Sequence, residues 1–103
     1  MSPEEAGMKE KDVEKYLTQQ TGKMGGRAYK FVSPGCSGVP DRLVALPGGK
    51  AGFLELKAPG KKARPEQEHR IRQLRALGFL AGTADSPAGV DAFLDSLAGK
   101  EDA

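Results

Sequence analysis

The sequence predicts an α/β fold: a small mixed β-sheet flanked by helices, in the order αβββαβα. Two patterns support this fold class. Two short strand-like runs, residues 41–46 and 51–57, flank the turn sequence Pro47-Gly48-Gly49-Lys50, as in a β-hairpin. Three other segments repeat apolar residues at spacings of three and four, which is the period of an amphipathic helix. Together the patterns predict one domain over residues 1–103.

The first half of the chain predicts a helix, a glycine-rich break and a strand. A helix-start signal, Ser2-Pro3-Glu4-Glu5, comes first, with the serine as cap. A more convincing helix spans residues 9–20 and stops before Gly22. The residues that share its buried face are Val13, Tyr16, Leu17 and Gln20. The break over residues 22–26 leads to a strand over residues 27–32.

The second half completes the predicted order. Its elements are a loop over residues 33–40, the hairpin strands 41–46 and 51–57, a Pro-bounded basic loop over 58–65, a helix over 66–77 that ends at Gly78, and a strand over 79–84. Ser86-Pro87 opens the last helix. Its buried stripe consists of Val90, Phe93, Leu94 and Leu97. The core is expected to span about residues 9–97, with both ends mobile.

Composition limits the classes of protein to which the chain can belong. A domain of 103 residues buries only about two-thirds of its unfolded surface. No apolar stretch approaches the ~18 residues needed to span a bilayer, and no signal peptide is evident. Cys36 alone cannot build a disulfide framework, which fits a reducing interior, and with the lone His69 it cannot form a zinc site. We therefore expect a cytoplasmic protein.

Charge is unevenly distributed although the net charge is only +2. Residues 57–75 carry seven Lys/Arg against two Glu, a balance of +5, and residues 76–103 carry one Lys against five acids, a balance of −4. A solvated helix face is the usual meaning of such a basic block. Beside paired carboxylates it is also where a nucleic-acid backbone would lie.

Three polar residues stand in and beside the predicted hairpin: Asp41 follows Pro40 at the start of one strand, and Glu55 and Lys57 lie in the other. Because side chains in a strand alternate between faces, Glu55 and Lys57 point the same way, roughly 7 Å apart. Carboxylate oxygens favour Mg²⁺ or Mn²⁺, and a fixed ammonium favours a phosphodiester. The pattern indicates a metal-dependent nuclease; an exposed ion pair on a strand is the alternative.

The motifs around these residues resemble the VRR-NUC branch of the PD-(D/E)xK nuclease superfamily. Ser33-Pro34-Gly35 and Gly38-Val39-Pro40-Asp41-Arg42 match its first segment, and Phe53-Leu54-Glu55-Leu56-Lys57 matches its second. The resemblance extends over about residues 9–97, and small stand-alone members are typical of phages and prophages. The Val-Arg-Arg for which the branch is named is absent, because Ala58-Pro59-Gly60 stands after the lysine.

The resemblance implies a restriction-endonuclease-like core and hydrolysis of DNA phosphodiesters with Mg²⁺ or Mn²⁺. Asp41 and Glu55 would bind the cation, with the backbone carbonyl of Leu56 as a further ligand. Lys57 would orient the attacking water and stabilise charge in the transition state. Neutralising Glu55 is its alternative role.

The family also has an acid on the preceding helix, for which Glu10 and Glu14 are the candidates. At 100° per residue, Glu10 lies about 60° from Val13 and Glu14 about 100° away. We therefore expect Glu10 to face inward, reaching metal directly or through water, and Glu14 to face mostly outward. Glu10 and Val13 also meet the family's Glu-x-x-(Ile/Val) pattern. A solvated acid in the first helical turn is the alternative for Glu10.

Gln67 aligns with Ile71 and Leu74 at i, i+4 and i+7, which places an amide on the buried face of its helix. A buried amide needs partners, and we expect them in the active site, where the family has a glutamine after its lysine. A helix-start residue bonded to the backbone is the alternative. His69 lies about 200° from Gln67, so we expect it on the outer face.

Six residues are candidates for contact with nucleic acid. They are Lys61, Lys62, Arg64, Arg70, Ser33 and Arg42. Nucleotide hydrolysis is rejected, because Ala51 stands where a phosphate loop needs Ser or Thr after Lys50.

Stand-alone relatives of this kind resemble junction-resolving enzymes, so a homodimer that cuts four-way (Holliday) junctions is the leading prediction. Three alternatives remain: a non-catalytic nucleic-acid-binding module, a flap- or end-processing nuclease, and a restriction-type enzyme. The last is disfavoured because 103 residues leave little room for a recognition element.

Overall fold

The computed structural model describes residues 7–99, in which three helices pack on a four-stranded sheet. The elements are α1 (Glu10–Lys23), β1 (Arg27–Lys30), β2 (Arg42–Leu46), β3 (Lys50–Leu56), α2 (Pro65–Ala76), β4 (Leu80–Ala84) and α3 (Pro87–Ala98). The predicted order αβββαβα is therefore confirmed. The helix-start signal at residues 2–5 and both chain ends lie outside the described residues.

The sheet is mixed, with the strand order β1-β2-β3-β4. Strands β1, β2 and β3 are antiparallel neighbours, and β3 pairs with β4 in parallel through the crossover helix α2. The predicted hairpin turn is present, and Gly48 and Gly49 adopt positive φ values of 89° and 75° that suit glycine. The crossover leaves β4 at one edge of the sheet.

The bounds of α1 differ from the prediction, because the helix continues through Gly22 to Lys23. The hydroxyl of Thr21 donates to the carbonyl of Leu17 at 2.9 Å, and Thr21 is buried with the helix stripe. Tertiary burial of this last turn outweighs the low helix propensity of one glycine. Helix α1 then ends before Gly25, which has a φ of 79°.

The core lies on one face of the sheet, beneath α1 and α3. It includes Val13, Leu17, Val44, Leu46, Leu54, Leu56, Val90, Phe93, Leu94 and Leu97. Helix α2 packs on the opposite face, chiefly against β4. Because Leu54 and Leu56 enter the core, Glu55 between them faces the α2 side. This alternation is what positions the candidate site.

None of the helices within residues 7–99 is both long and apolar enough to cross a membrane.

Candidate active site

Asp41 and Glu55 lie side by side on the face of the sheet that α2 partly covers. The register pairs Arg42 with Leu54. Because the strands are antiparallel, Asp41, one residue before Arg42, lies opposite Glu55, one residue after Leu54. One carboxylate oxygen of Asp41, Oδ1, accepts a hydrogen bond of 3.1 Å from the backbone N–H of Leu56. This bond holds the Asp41 carboxylate against the end of β3. The two acids predicted from the sequence are therefore neighbours.

Glu55 is buried, with only 6% of its surface exposed. Its Oε2 lies 3.6 Å from Nζ of Lys57, whose side chain is also largely buried. Burial raises the pKa of Glu55 above its usual value, and the negative charge of Asp41 raises it further, while Lys57 acts in the opposite direction. The single lysine therefore does not offset the combined effects of burial and of the neighbouring Asp41 on the pKa of Glu55.

Gln67 joins the start of α2 to the Glu55 carboxylate. Its Nε2 donates to Oε2 of Glu55 at 3.1 Å, and its Oε1 accepts from the backbone N–H of Arg64 at 2.9 Å. The predicted burial of Gln67 is confirmed, at 6% exposure. Gln67 was expected to bond either to the active site or to the backbone at the helix start. It does both, because one end of its amide contacts the Glu55 carboxylate and the other contacts the backbone of Arg64. His69 is exposed, as predicted.

Arg42 connects Asp41 to helix α1. Its Nη1 donates to Oδ2 of Asp41 at 3.0 Å, and its Nη2 donates to Oε2 of Glu14 at 2.5 Å. The side chain of Arg42 is only 8% exposed. Arg42 lies on the α1 side of β2, and its guanidinium bonds only to Asp41 and Glu14 of the chain itself among the described residues. It is therefore an internal ion-pair partner in this structure, and its contact with nucleic acid stays a prediction.

The expected orientation of the two helical acids is wrong. Glu10 is exposed, whereas Glu14 reaches Asp41 through Arg42. The angular argument ignored position along the axis. Helical side chains point toward the N-terminus, so Glu10, the first residue of α1, projects past the end of the helix. Glu14 lies one turn further on, level with the start of β2.

The loop over residues 31–41 packs on the start of α2. Gly38 has a φ of 84°, and a Cβ there would lie 2.8 Å from the carbonyl oxygen of Glu66. Arg70 donates through Nε to the carbonyl of Ser37 at 3.0 Å, and Oγ of Ser37 donates to Glu66 at 3.1 Å. Ser33 is half-buried in this loop. Contact of Arg70 or Ser33 with nucleic acid stays a prediction.

The predicted basic loop is open to solvent on the other side of the site. Lys61, Lys62 and Arg64 are exposed, and Arg64 forms a 3.5 Å ion pair with Glu66. Beside this loop, a cavity with a volume of about 500 Å³ extends from Lys57 along α2. Its lining also includes residues that were not predicted: Arg72, Arg75 and Thr83. The two arginines belong to the basic block, but the position of Thr83 follows only from the strand register.

Metal ligation has a limited set of donors in the described part of the chain. Within residues 7–99, no cluster of three or more His, Cys, Asp or Glu side chains is placed to hold a metal ion. The donors at the site are the carboxylates of Asp41 and Glu55, together with the nearby backbone of Leu56. Glu14 is held by Arg42 and so belongs to the support of Asp41.

A mixed sheet with a half-buried Asp beside a buried Glu, and a lysine two residues after the glutamate, is the arrangement of the PD-(D/E)xK class of nucleases. No protein-family profile matches the chain. The chain is similar to a phage protein named "Putative nuclease p44", from Acyrthosiphon pisum secondary endosymbiont phage 1. The two are 53% identical over 79 residues, which are 77% of this chain and 85% of the phage protein.

A solved structure described as "VRR_NUC domain" superposes with a TM-score of 0.76 at 32% identity, over 84% of this chain and 94% of that one. Each likeness extends over more than three-quarters of this chain. The chain therefore belongs to the VRR-NUC family of nucleases.

Proposed function

We propose that the chain is a divalent-metal-dependent endonuclease that hydrolyses DNA phosphodiesters. One observation supports this above all: the buried Glu55, beside Asp41, has a raised pKa that the neighbouring Lys57 does not restore. An acid whose pKa is raised by burial and by a neighbouring carboxylate is typical of a catalytic site.

The donor set fits Mg²⁺ or Mn²⁺. Carboxylate oxygens and a backbone carbonyl are hard ligands, and the two negative charges repel each other until a cation lies between them. Asp41, Glu55 and the carbonyl of Leu56 would hold the ion. A bound ion would supply a lowered pKa for a water ligand and charge neutralisation at the phosphate. Glu10, exposed at the end of α1, is left at most a water-mediated role.

The other residues orient these ligands and bind the substrate. Gln67 fixes the rotamer of Glu55, and Arg42 fixes that of Asp41. The ammonium of Lys57 stands beside Glu55, where it can hold a water or a phosphate oxygen and stabilise developing negative charge. Lys61, Lys62 and Arg64 would bind backbone phosphates, which gives affinity without base specificity.

Branched DNA, and a four-way junction above all, is the proposed substrate. The relatives' names speak only of a nuclease, so the structural preference is the finer part of the proposal. Recognition through backbone and shape suits a small domain whose candidate contacts are charged side chains on a loop and a helix. Symmetric cutting of two strands requires two sites, which is the reason for proposing a homodimer.

The proposal is tested with labelled junction, flap and duplex DNA in the presence and absence of Mn²⁺. We expect junction cleavage that requires the metal, and its loss in Asp41→Asn and in Glu55→Gln, with DNA binding retained because less negative charge faces the phosphates. Asp91→Asn, which alters an exposed acid on α3, is the control. Undiminished cutting by either site variant would sink the assignment, and binding without cutting under any metal would favour a non-catalytic module.

A further inference from the structure

The cavity beside Lys57 forms a basic cleft between α2, β4 and the loop over residues 57–64. Its charged lining consists of five cations, Lys57, Lys61, Lys62, Arg72 and Arg75, and two acids, Glu68 and Asp85. One of the acids is already used, because Oδ2 of Asp85 accepts a 3.0 Å hydrogen bond from the backbone N–H of Gly60 and so anchors the loop. The cleft therefore has an excess of positive charge around a volume of about 500 Å³.

Arg75 forms the far end of the cleft. Its Nε donates to the carbonyl of Ala81 at 2.7 Å, and its Nη2 would lie 3.6 Å from a Cβ placed on Gly82. The guanidinium is thus fixed over the outer edge of β4. Arg72 lies one turn earlier on the same helix and is exposed, so its charge is available to a ligand. The two arginines and Lys57 border the same cleft.

The near end of the cleft opens on the candidate active site. Thr83 lines the cleft and is the register partner of Glu55 across the parallel strands β3 and β4. Lys57 lines the cleft and also lies 3.6 Å from Glu55. A ligand in the cleft would therefore continue directly from a phosphate held at the carboxylates.

The lining indicates a sugar–phosphate backbone rather than a base. Its uncharged members are small or aliphatic, such as Ala63, Ile71 and Ala84, and it contains no aromatic ring on which a base could stack. Cations around a cleft of this size suit one or two phosphates, since pockets of about 300–1,000 Å³ hold small-molecule-sized ligands. Neutralising phosphates is also the main source of sequence-independent affinity.

We infer that this cleft is a phosphate subsite that holds the strand being cut, on one side of the scissile phosphate, with Arg72 as a direct contact. The inference rests on the proposed nuclease function. It adds a defined path for the substrate along the edge of β4, which the loop residues Lys61 and Lys62 share.

The test measures binding of junction DNA in which single phosphates near the cut are replaced, one at a time, by uncharged methylphosphonates. A Glu55→Gln background prevents cutting. Arg72→Ala removes the proposed contact, and Arg72→Lys keeps its charge. Arg27→Ala, the control, removes an arginine that is also exposed, from β1 at the opposite edge of the sheet. We expect Arg72→Ala to weaken binding about fivefold and Arg72→Lys to restore much of it.

The decisive readout is coupling between phosphate and arginine. One or two methylphosphonates should weaken binding by the Arg72 protein and by Arg27→Ala, yet have no further effect on Arg72→Ala. If Arg72→Ala responds at every position as Arg27→Ala does, the subsite is refuted while the nuclease assignment stands. If the unaltered chain neither binds nor cuts unmodified DNA, the proposed nuclease function is contradicted, and the subsite, which depends on it, is contradicted as well.

Discussion

Single residues set the properties of the site, as Glu55 shows. Its polar neighbours are Asp41, Lys57 and Gln67. The alternation of the strand placed Glu55 and Lys57 on one face, and the helical spacing placed Gln67 on the buried side of α2. Both placements needed only local geometry. The hydrogen bond from Gln67 to Glu55 joins a helix to a strand, so it depends on the tertiary structure and could not be predicted from local spacing.

The charge of Glu55 should make the metal-free protein less stable at neutral pH. Its pKa is raised in the folded chain, first by burial and then by Asp41, so the folded state holds the proton more tightly than the unfolded state. Stability is therefore lost as the pH rises from the unfolded carboxyl value of about 4.3 to the raised folded value. Above this window the cost is about 1.4 kcal/mol for each unit of pKa difference.

Glu55→Gln should accordingly raise the free energy of unfolding at pH 7 to 8 in the presence of a chelator. The gain should shrink as the pH falls through the window, because Glu55 of the parent is then protonated in both the folded and the unfolded state. Urea denaturation across this pH range measures the effect, with the exposed Glu68→Gln as control. A Gln variant less stable than the parent at neutral pH would contradict the raised pKa.

Arg42 is expected to matter for stability and not for phosphate binding. Arg42→Met removes the hydrogen-bond donor that Glu14 and Asp41 share. Because these two carboxylates are each about one-third exposed, we expect the free energy of unfolding to fall by about 2 kcal/mol. The dependence of DNA affinity on salt should keep its slope. If the slope of log affinity against log salt concentration becomes shallower by about 0.9, the amount for one phosphate contact, Arg42 does bind nucleic acid.

At the scale of elements, the strands and helices were predictable because their signals repeat within a few residues. The hairpin, the start of α3 at Ser86-Pro87 and the stripe on α1 all follow from local spacing. Ser86 caps this helix, with Oγ accepting from the N–H of Gly89 at 3.1 Å. The end of α1 could not be predicted from the local sequence, because its last turn is stabilised by packing against distant parts of the chain.

Two glycines at that end of α1 should respond in opposite ways to alanine. A Cβ on Gly26 would lie 2.3 Å from the carbonyl oxygen of Ala45 and 2.7 Å from Cδ2 of Leu46, so Gly26→Ala must displace β2 or the link to β1. We expect Gly26→Ala to lower the free energy of unfolding by about 2 kcal/mol or more. A Cβ on Gly22 meets nothing within 4 Å, and this residue is helical and exposed.

Gly22→Ala should therefore raise the free energy of unfolding by up to about 1 kcal/mol. Chemical denaturation of the two variants beside the parent checks both signs. Equal effects at the two positions would show that the close approach of Gly26 to β2 is not a constraint in solution.

For the whole molecule, the sheet has α1 and α3 on its core face and α2 over only part of the other face. Tyr29 and Phe79 remain 50% and 45% exposed. The site lies on the partly covered face, with the loop over residues 31–41 on one side and the basic cleft on the other. Of the two carboxylates, Asp41 is the more open to solvent, with about one-third of its side chain exposed, whereas Glu55 is buried.

The proposed homodimer predicts a particle of about twice the 10.9 kDa chain mass. A domain of this size has a limited core, and paired cuts in a junction require two sites related by symmetry. Sedimentation and light scattering at micromolar concentration measure the mass, and mapping the nicks tests the symmetry. A strict monomer that nicks flaps and ignores four-way junctions would favour a flap- or end-processing enzyme.

The sequence by itself determined the order of the elements, the faces of Glu55, Lys57 and Gln67, and the family to which the chain belongs. These properties depend on spacings of two, three and four residues and on contiguous motifs, which are local. Only the tertiary structure decided that Glu14 and not Glu10 supports Asp41, that Arg42 is an internal partner, and that Thr83 and Arg72 lie on a path from the site. Those contacts join residues separated by many positions in the chain, and their geometry depends on how far along its axis each helix meets the sheet.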